Sequence, residues 1–201
     1  MKRIFIAITC WRFFLHWLYY KMAKNHDVIE ADLIRNLNLF IRRIPLDTKK
    51  SPSFLEFCTL MTFYRMFRNI FYARVAYNHP FYAKFLSLFA SPLPLLDISS
   101  TAEIGGGLIV QHGYATIIAP RKIGKNCWVN QGVTIGYTND EDCPTLGDNV
   151  TVYCGAKVLG DVHLGDNVVV AANAVVVKDV EANCVVAGVP AKVIKIGNRN
   201  D

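Results

Sequence analysis

The chain has 201 residues, of which 52% are hydrophobic, which is enough for one large domain or for a domain with a substantial appendage. Its formal charge of +6 is unevenly placed, because residues 1–96 carry 14 Lys and Arg against 5 Asp and Glu, whereas residues 97–201 carry 8 against 11. No stretch reaches the roughly 18 apolar residues that a membrane-spanning helix needs, so a spanning protein is disfavoured.

The first 96 residues form a basic, aromatic-rich region that holds 20 of the 24 aromatic residues, and we expect it to be helical. Its opening, MKRIFIAITCWRFFLHWLYYK, starts like a signal peptide, but Arg12 interrupts the apolar run and no small-residue cleavage site follows. The six cysteines include no Cys-x-x-Cys pair and no metal-ligand spacing with histidine, which favours free thiols in a reducing compartment. We therefore expect a cytoplasmic protein that binds no metal.

A segment within this region, SFLEFCTLMTFYRMFRNIFYARV (residues 53–75), sets Arg65, Arg68 and Arg74 among aromatic and aliphatic residues. One interpretation is an aromatic core whose arginines extend their charged ends to solvent. The other is a basic amphipathic surface that contacts the inner face of the membrane or an anionic glycan intermediate. The cations are interleaved with apolar residues, which argues against a nucleic-acid-binding stripe.

A hexapeptide period begins after SPLPLLD (residues 91–97), whose two prolines mark the boundary between regions 1–96 and 97–201. An aliphatic or small β-branched residue recurs every six positions, with one extra residue after the fourth and the insertion GYTNDEDCPT after the seventh. These residues are Ile98, Ile104, Val110, Thr116, Ile123, Val129, Ile135, Leu146, Val152, Val158, Leu164, Val170 and Val176. The period suits short strands joined by tight turns, with three strands in each triangular coil of about 18 residues.

The repeats IGGGLI, IGKNCW, LGDNVT and LGDNVV and the closing VVAGVPAKVIK (residues 185–195) resemble the hexapeptide-repeat acyltransferases, most nearly their serine O-acetyltransferase branch. The resemblance covers about half of the chain. It implies an α+β protein in which the N-terminal helical region precedes a left-handed parallel β-helix. It also implies a homotrimer whose neighbouring subunits together form the acetyl-CoA groove, with a dimer of trimers as a further arrangement.

The histidine of GLIVQHGYAT, His112, is the candidate general base. A histidine in an apolar stretch is usually structural, but Gln111, Gly113 and Tyr114 give His112 a polar, turn-like setting, and neutral imidazole is abundant at pH 7. The resemblance implies that Asp97, fifteen residues earlier, is its partner and accepts a hydrogen bond from its other ring nitrogen. A catalytically silent trimeric scaffold is the competing interpretation, and the presence of this pair argues against it.

The resemblance further implies which residues bind acetyl-CoA: Gly136, Tyr137, Thr138, Cys154, Gly155, Ala171, Ala172 and Lys192. Small residues would let the pantetheine arm lie against backbone amides, and Lys192 would neutralise a phosphate. The backbone N–H groups around Gly136 and Tyr137 would stabilise the oxyanion. A covalent mechanism through Cys143 or Cys154 is less favoured, because neither has a histidine nearby in sequence.

The residues expected to hold the acceptor depart from the serine acetyltransferase pattern. Gln111 replaces an aspartate, and Asp142 and Cys143 replace an Arg-His pair before a proline. Three consecutive acidic residues in the loop YTNDEDCP would repel a serine carboxylate. We therefore expect Gln111, Asn139, Asp142 and Cys143 to bind a neutral acceptor, a sugar hydroxyl of a surface polysaccharide or its precursor, as in acetyltransferases of capsule and exopolysaccharide assembly. A small hydroxyl compound, L-serine, is the alternative.

Overall fold

The computed structural model describes residues 2–46, 48, 50–139 and 142–197. The chain divides into two compact units, a helical unit (Met1–Leu93) and a solenoid unit (Pro94–Asp201). The first strand of the solenoid unit begins at Leu96. The predicted fold class, helices followed by a parallel β-solenoid, is confirmed.

The helical unit consists of short helices joined by tight turns. They are α1 (Lys2–Thr9), a 3₁₀ helix (Cys10–Phe13), α2 (Phe14–Met22), α3 (His26–Leu37), a π-helical turn (Asn38–Arg42), α4 (Phe54–Phe63), α5 (Arg65–Asn78) and α6 (Pro80–Ser87). A capping box starts α4, because Ser53 accepts a hydrogen bond from the Glu56 backbone N–H and Glu56 accepts one from that of Ser53. Within the described ranges, every helix is too short or too polar to cross a membrane.

The core of the helical unit is aromatic, and it also buries two of the three arginines of the 53–75 segment. Arg74 pairs with Asp32, with 2.8 Å between Nε and Oδ2. Arg68 donates to backbone carbonyls at the end of α4 and to the carbonyl of Ser91, at 2.8 Å. Of these three arginines, only Arg65 is exposed. The basic amphipathic surface predicted as an alternative for this segment is therefore wrong, and so are solvent-reaching ends for Arg68 and Arg74.

Among its described residues, the solenoid unit contains fifteen short strands, most of two or three residues. They are β1 (Leu96–Ile98), β2 (Glu103–Ile104), β3 (Ile109–Gln111), β4 (Thr116–Ile118), β5 (Lys122–Ile123), β6 (Trp128–Asn130), β7 (Thr134–Gly136), β8 (Thr145–Leu146), β9 (Thr151–Val152), β10 (Lys157–Leu159), β11 (His163–Leu164), β12 (Val169–Val170), β13 (Val175–Val176), β14 (Cys184–Ala187) and β15 (Lys192–Ile196). Up to β13, every third strand joins the same sheet, and β14 and β15 then extend the third sheet. Sheet A is β1-β4-β7-β10-β13, sheet B is β2-β5-β8-β11, and sheet C is β3-β6-β9-β12-β14-β15. Pairing is parallel except between β14 and β15.

The buried aliphatic column follows the predicted period with one correction. The predicted positions from Ile104 onwards are all buried. In sheet A, however, Ile118 pairs with both Ile98 and Ile135, whereas Thr116 pairs with Leu96. The corner between β3 and β4 therefore holds two extra residues, and the next corner lacks one. The predicted single extra residue after Thr116 is wrong, because a β-branched residue at the right spacing hid the longer corner.

The corners between sheets B and C explain the Gly-Asp-Asn repeats. The four asparagines Asn126, Asn149, Asn167 and Asn183 have φ between 58° and 62°, a left-handed conformation that asparagine tolerates. Asn149 donates its side-chain amide to Asn167 at 3.2 Å, and Asn167 donates to Asn183 at 2.9 Å. The Asp148 carboxylate accepts the backbone N–H of Lys125 at 2.6 Å. These contacts hold successive coils in register.

The glycines of this repeat are required by the close approach of coils. A Cβ at Gly124 would lie 2.5 Å from the backbone carbonyl carbon of Gly147. We expect Gly124→Ala to lower the free energy of unfolding by about 1–3 kcal/mol, because backbone atoms must move apart. Gly136→Ala is the matched control, since its Cβ would meet nothing nearer than a Thr134 methyl at 4.0 Å. Denaturant unfolding of both variants gives the comparison, and equal stabilities would contradict the steric argument.

A buried histidine makes the helical unit sensitive to pH. His16 is fully buried, with Nε2 3.1 Å from the hydroxyl of Tyr72, and burial lowers its pKa from 6.5 to about 4. Above pH 6.5 the imidazole is neutral in both the folded and unfolded states. As the pH falls from 6.5 towards 4 the unfolded state takes up the proton first, so stability is lost in that window.

We expect wild-type protein to lose up to about 3 kcal/mol of stability across this window through His16. His16→Phe should flatten the dependence, whereas the exposed-site control His79→Phe should retain it. Denaturant titrations at pH 7, 5.5 and 4.5 measure the slope. An unchanged slope in His16→Phe would assign the pH dependence to other groups.

Candidate active site

The corner between β3 and β4 differs from the corners stacked below it. Its residues His112, Gly113 and Ala115 have φ of 65°, 59° and 50°. The next three corners between sheets C and A each use one left-handed residue, namely Gly132, Gly155 and Asn173. A left-handed conformation costs a residue with a Cβ about 1–2 kcal/mol. Such strain clusters at functional sites, and here it falls on the histidine that the sequence singled out.

His112 and Asp97 both face solvent, on neighbouring coils. Asp97 lies on β1 and pairs with Ile117 of β4, the strand that follows the corner of His112. The Thr116 backbone N–H also donates to the Leu95 carbonyl at 3.0 Å, which ties β1 to the end of the corner. Among the described residues, however, no hydrogen bond joins Asp97 to His112. The predicted contact between their side chains is therefore not formed in this structure.

Four residues predicted to bind acetyl-CoA lie at one edge of the solenoid, the same edge as His112. Cys154 and Gly155 occupy the corner between β9 and β10, and Ala171 and Ala172 occupy the corresponding corner one coil below. The Asn173 backbone N–H donates to the Cys154 carbonyl at 2.9 Å, so the two corners are in direct contact. Their small side chains leave this edge narrow.

Lys192 extends the same edge by one more strand. It pairs with Ala187, and β14 lies beside β12, the strand that ends just before Ala171. Of the other three predicted residues, Gly136 ends β7 and Tyr137 and Thr138 follow it, so all three lie at the opposite edge of sheet A. The structure thus brings five of the predicted donor residues together and separates them from the remaining three.

Lys157 is a candidate active-site residue that the sequence analysis did not identify. Its ammonium donates to the Gly132 carbonyl at 2.5 Å, beside the stacked corners. Strand pairing sets it on the outer side of sheet A in one row with Asp97, Ile117, Thr134 and Val175. The sequence does contain a signal for it. Lys157 immediately precedes Val158 of the buried aliphatic column, and the other strands of sheet A carry neutral or acidic side chains at the equivalent position.

The loop after β7 is organised by Asp142, one of the predicted acceptor ligands. Its carboxylate accepts hydrogen bonds from the backbone N–H groups of Thr138 and Asn139, at 2.6 and 3.1 Å, and from the side chains of both residues. The bond from the Thr138 hydroxyl, with those from the backbone, holds the pKa of Asp142 below its usual value, so the loop keeps a negative charge at neutral pH. Asp140 and Glu141, the other two acidic residues, lie outside the described residues.

The predicted acceptor ligands occupy two corners of the solenoid. Gln111 ends β3 and adjoins His112, whereas Asn139, Asp142 and Cys143 belong to the loop between β7 and β8. Gln111 and Cys143 are both half-buried. Since sheet A separates the two corners, the structure does not bring Gln111 together with the other three within one chain.

Comparison with known proteins agrees with this architecture. The family model for bacterial transferase hexapeptide repeats matches residues 143–178. A serine acetyltransferase of Synechocystis is 44% identical over 119 residues, which cover 57% of this chain and 48% of the relative. The chain spans about half the length of the curated relatives it matches.

Solved structures extend the likeness into the helical unit. Serine acetyltransferase from Brucella abortus is 25% identical with a TM-score of 0.69, covering 91% of this chain and 74% of that one. Serine acetyltransferase from Neisseria gonorrhoeae, solved in complex with serine, is 27% identical with a TM-score of 0.64, covering 85% and 69%.

Proposed function

We propose that this chain is an acetyl-CoA-dependent O-acetyltransferase with His112 as general base, because it matches the family model of hexapeptide-repeat transferases over residues 143–178 and is similar to serine acetyltransferases. The observation that carries the proposal is the widened corner at His112. It presents an exposed imidazole on a strained, left-handed backbone, on the edge where five predicted donor residues meet. A purely structural histidine would need neither the exposure nor the strain.

The reaction is a direct transfer. An acceptor hydroxyl attacks the thioester carbonyl as His112 removes its proton, since a hydroxyl with a pKa far above 7 is a poor nucleophile by itself. The tetrahedral oxyanion collapses, the C–S bond breaks, and the thiolate of CoA takes the proton back from the imidazolium. Asp97 stabilises the imidazolium and orients the ring once the two side chains meet, as the acidic member of a catalytic triad does.

We further propose that the working enzyme is a homotrimer. The donor candidates and the acceptor candidates of one chain are each divided between the two edges of sheet A, so no single chain can surround either substrate with all of them. A neighbouring chain would supply the second edge, setting the loop around Asp142 near the corner of His112. Backbone amides around Gly136 and Tyr137 would then reach the oxyanion, and Lys192 would face a phosphate of CoA.

L-serine is the first candidate acceptor, because the relatives are named serine acetyltransferases and one of them is solved with serine. The sugar hydroxyl predicted from the sequence is the second candidate. The observation that favours it is the chemistry of the acceptor positions: Gln111 is neutral, and Asp142 brings a negative charge where a carboxylate ligand would need a cation.

We expect His112→Ala to lower kcat by roughly 10²-fold or more while leaving the affinity for acetyl-CoA nearly unchanged, because only proton transfer is lost. Asp97→Asn should cost less, since the base remains. His163→Ala is the matched control, an exposed histidine on β11 in a different sheet, and should keep full activity. Thiol release from acetyl-CoA measures all three, and near-normal turnover by His112→Ala would refute the mechanism.

The acceptor is tested by restoring the charges that the serine acetyltransferase pattern carries. If a sugar is the acceptor, wild-type protein should use L-serine weakly, and the triple variant Gln111→Asp, Asp142→Arg, Cys143→His should raise kcat/KM for L-serine by roughly 30-fold or more, because a charged contact to a carboxylate is worth about 2–5 kcal/mol.

The matched control for this test is His163→Arg, which adds one positive charge, as the triple variant does, at an exposed position on β11. A wild-type kcat/KM for L-serine near 10⁴ M⁻¹s⁻¹, lowered by the triple variant, would mean that the chain already holds serine with its own residues. Faster acetylation of capsular oligosaccharides than of L-serine would make the sugar the first candidate.

A further inference from the structure

The helical unit exposes large apolar side chains in two stripes. On α2 the stripe consists of Phe14, Leu18 and Met22, spaced four residues apart, and Met22 is 75% exposed. On α6 and the residue after it the stripe consists of Phe81, Phe85 and Leu88, of which Phe81 is 88% exposed. Spacings of three and four residues set each stripe on one helical face. We call these six residues the apolar face.

The two stripes adjoin each other. A groove of about 540 Å³ is lined by Leu18 and Met22 from α2 and by Tyr82 from α6. The ring centroids of Tyr19 and Tyr82 lie 5.6 Å apart, and those of Tyr82 and Phe85 lie 5.9 Å apart. The two stripes are therefore linked through Tyr82, which lines the groove with Leu18 and Met22 and lies beside Phe85.

The charges around the apolar face are positive. Lys24 lines the groove, and Lys84 is exposed and lies one position before Phe85. Lys21, one position before Met22, places its ammonium over the rings of Trp17 and Tyr20. The sequence carries no acidic residue between positions 1 and 26 or between 57 and 96. Asp27, at the start of α3, is the acidic residue nearest along the chain. Exposed aromatic and aliphatic residues flanked by lysines are the composition of a helix that lies in a membrane interface.

We propose that the apolar face docks this protein onto an anionic lipid surface, with α2 and α6 lying flat and their lysines reaching the headgroups. The charge pattern favours this occupant over a second copy of the chain, because two such faces would bring like charges together. Region 1–96 carries a net charge of +9, which draws it towards a negatively charged bilayer. This function is separate from the proposed acetyl transfer, and its test needs no activity.

The test is co-sedimentation of the full chain with vesicles of phosphatidylcholine containing 30% phosphatidylglycerol, or of phosphatidylcholine alone. Wild-type protein should bind the anionic vesicles, and binding should fall with salt. Met22→Gln with Phe81→Gln should weaken it roughly tenfold or more. Lys24→Gln with Lys84→Gln should weaken it by about 25-fold, or about fivefold for each lysine.

The matched control is Leu55→Gln with Phe63→Gln, which changes two exposed apolar residues of α4 that line a different groove, and it should bind like wild type. Thermal unfolding checks that each variant is folded. If the variant with the two apolar substitutions does not fold, the variant with the two lysine substitutions still tests the proposal. Equal binding to both kinds of vesicle would overturn the proposal. So would sedimentation showing self-association that Met22→Gln with Phe81→Gln abolishes, because the face would then join two copies.

Discussion

The in-register stacking of coils is the constraint on which the solenoid unit depends. Strands of two or three residues are too short to be stable alone, so each coil relies on hydrogen bonds to the coils above and below it. Backbones can approach this closely at the corner of Gly124 and Gly147 only because neither residue has a Cβ. Because the coils stack in register, the position of every corner residue is fixed. An irregular corner therefore holds its residues in a defined position that the regular corners do not provide.

The sequence predicted this constraint well, because it repeats. One aliphatic residue every six positions specifies three strands per coil, and the period alone placed the residues that are buried from Ile104 onwards. The same period obscured the irregular corner. Thr116 is β-branched, buried and at the expected spacing, so it stood in for Ile118, which actually joins the column. A repeat predicts the regular corners, whereas the corner that carries the candidate base His112 is irregular.

The helical unit, unlike the solenoid unit, has no sequence repeat from which its buried residues could be predicted. Its apolar and basic residues alternate without a clear period, so sequence could not decide whether Arg68 and Arg74 face solvent or the core. Both arginines lie in the core because hydrogen-bond partners that are distant in sequence meet them there. Asp32 is 42 residues from Arg74, and the Ser91 carbonyl is 23 residues from Arg68. A buried arginine is stable only when carbonyl or carboxylate oxygens satisfy its donors, which is a property of the packed structure.

The candidate site depends on both kinds of information. The sequence identified His112 by its polar, turn-like neighbours, and the backbone adds the reason for its geometry, since three left-handed residues turn the imidazole outwards where the regular corners need one. A single chain does not bring all of the predicted donor and acceptor residues together in one site. Asp142 uses its carboxylate to shape its own loop on the far edge of sheet A from His112. A triangular coil cannot fold one edge onto another, so the trimer proposed above would place the acceptor site where two such chains meet.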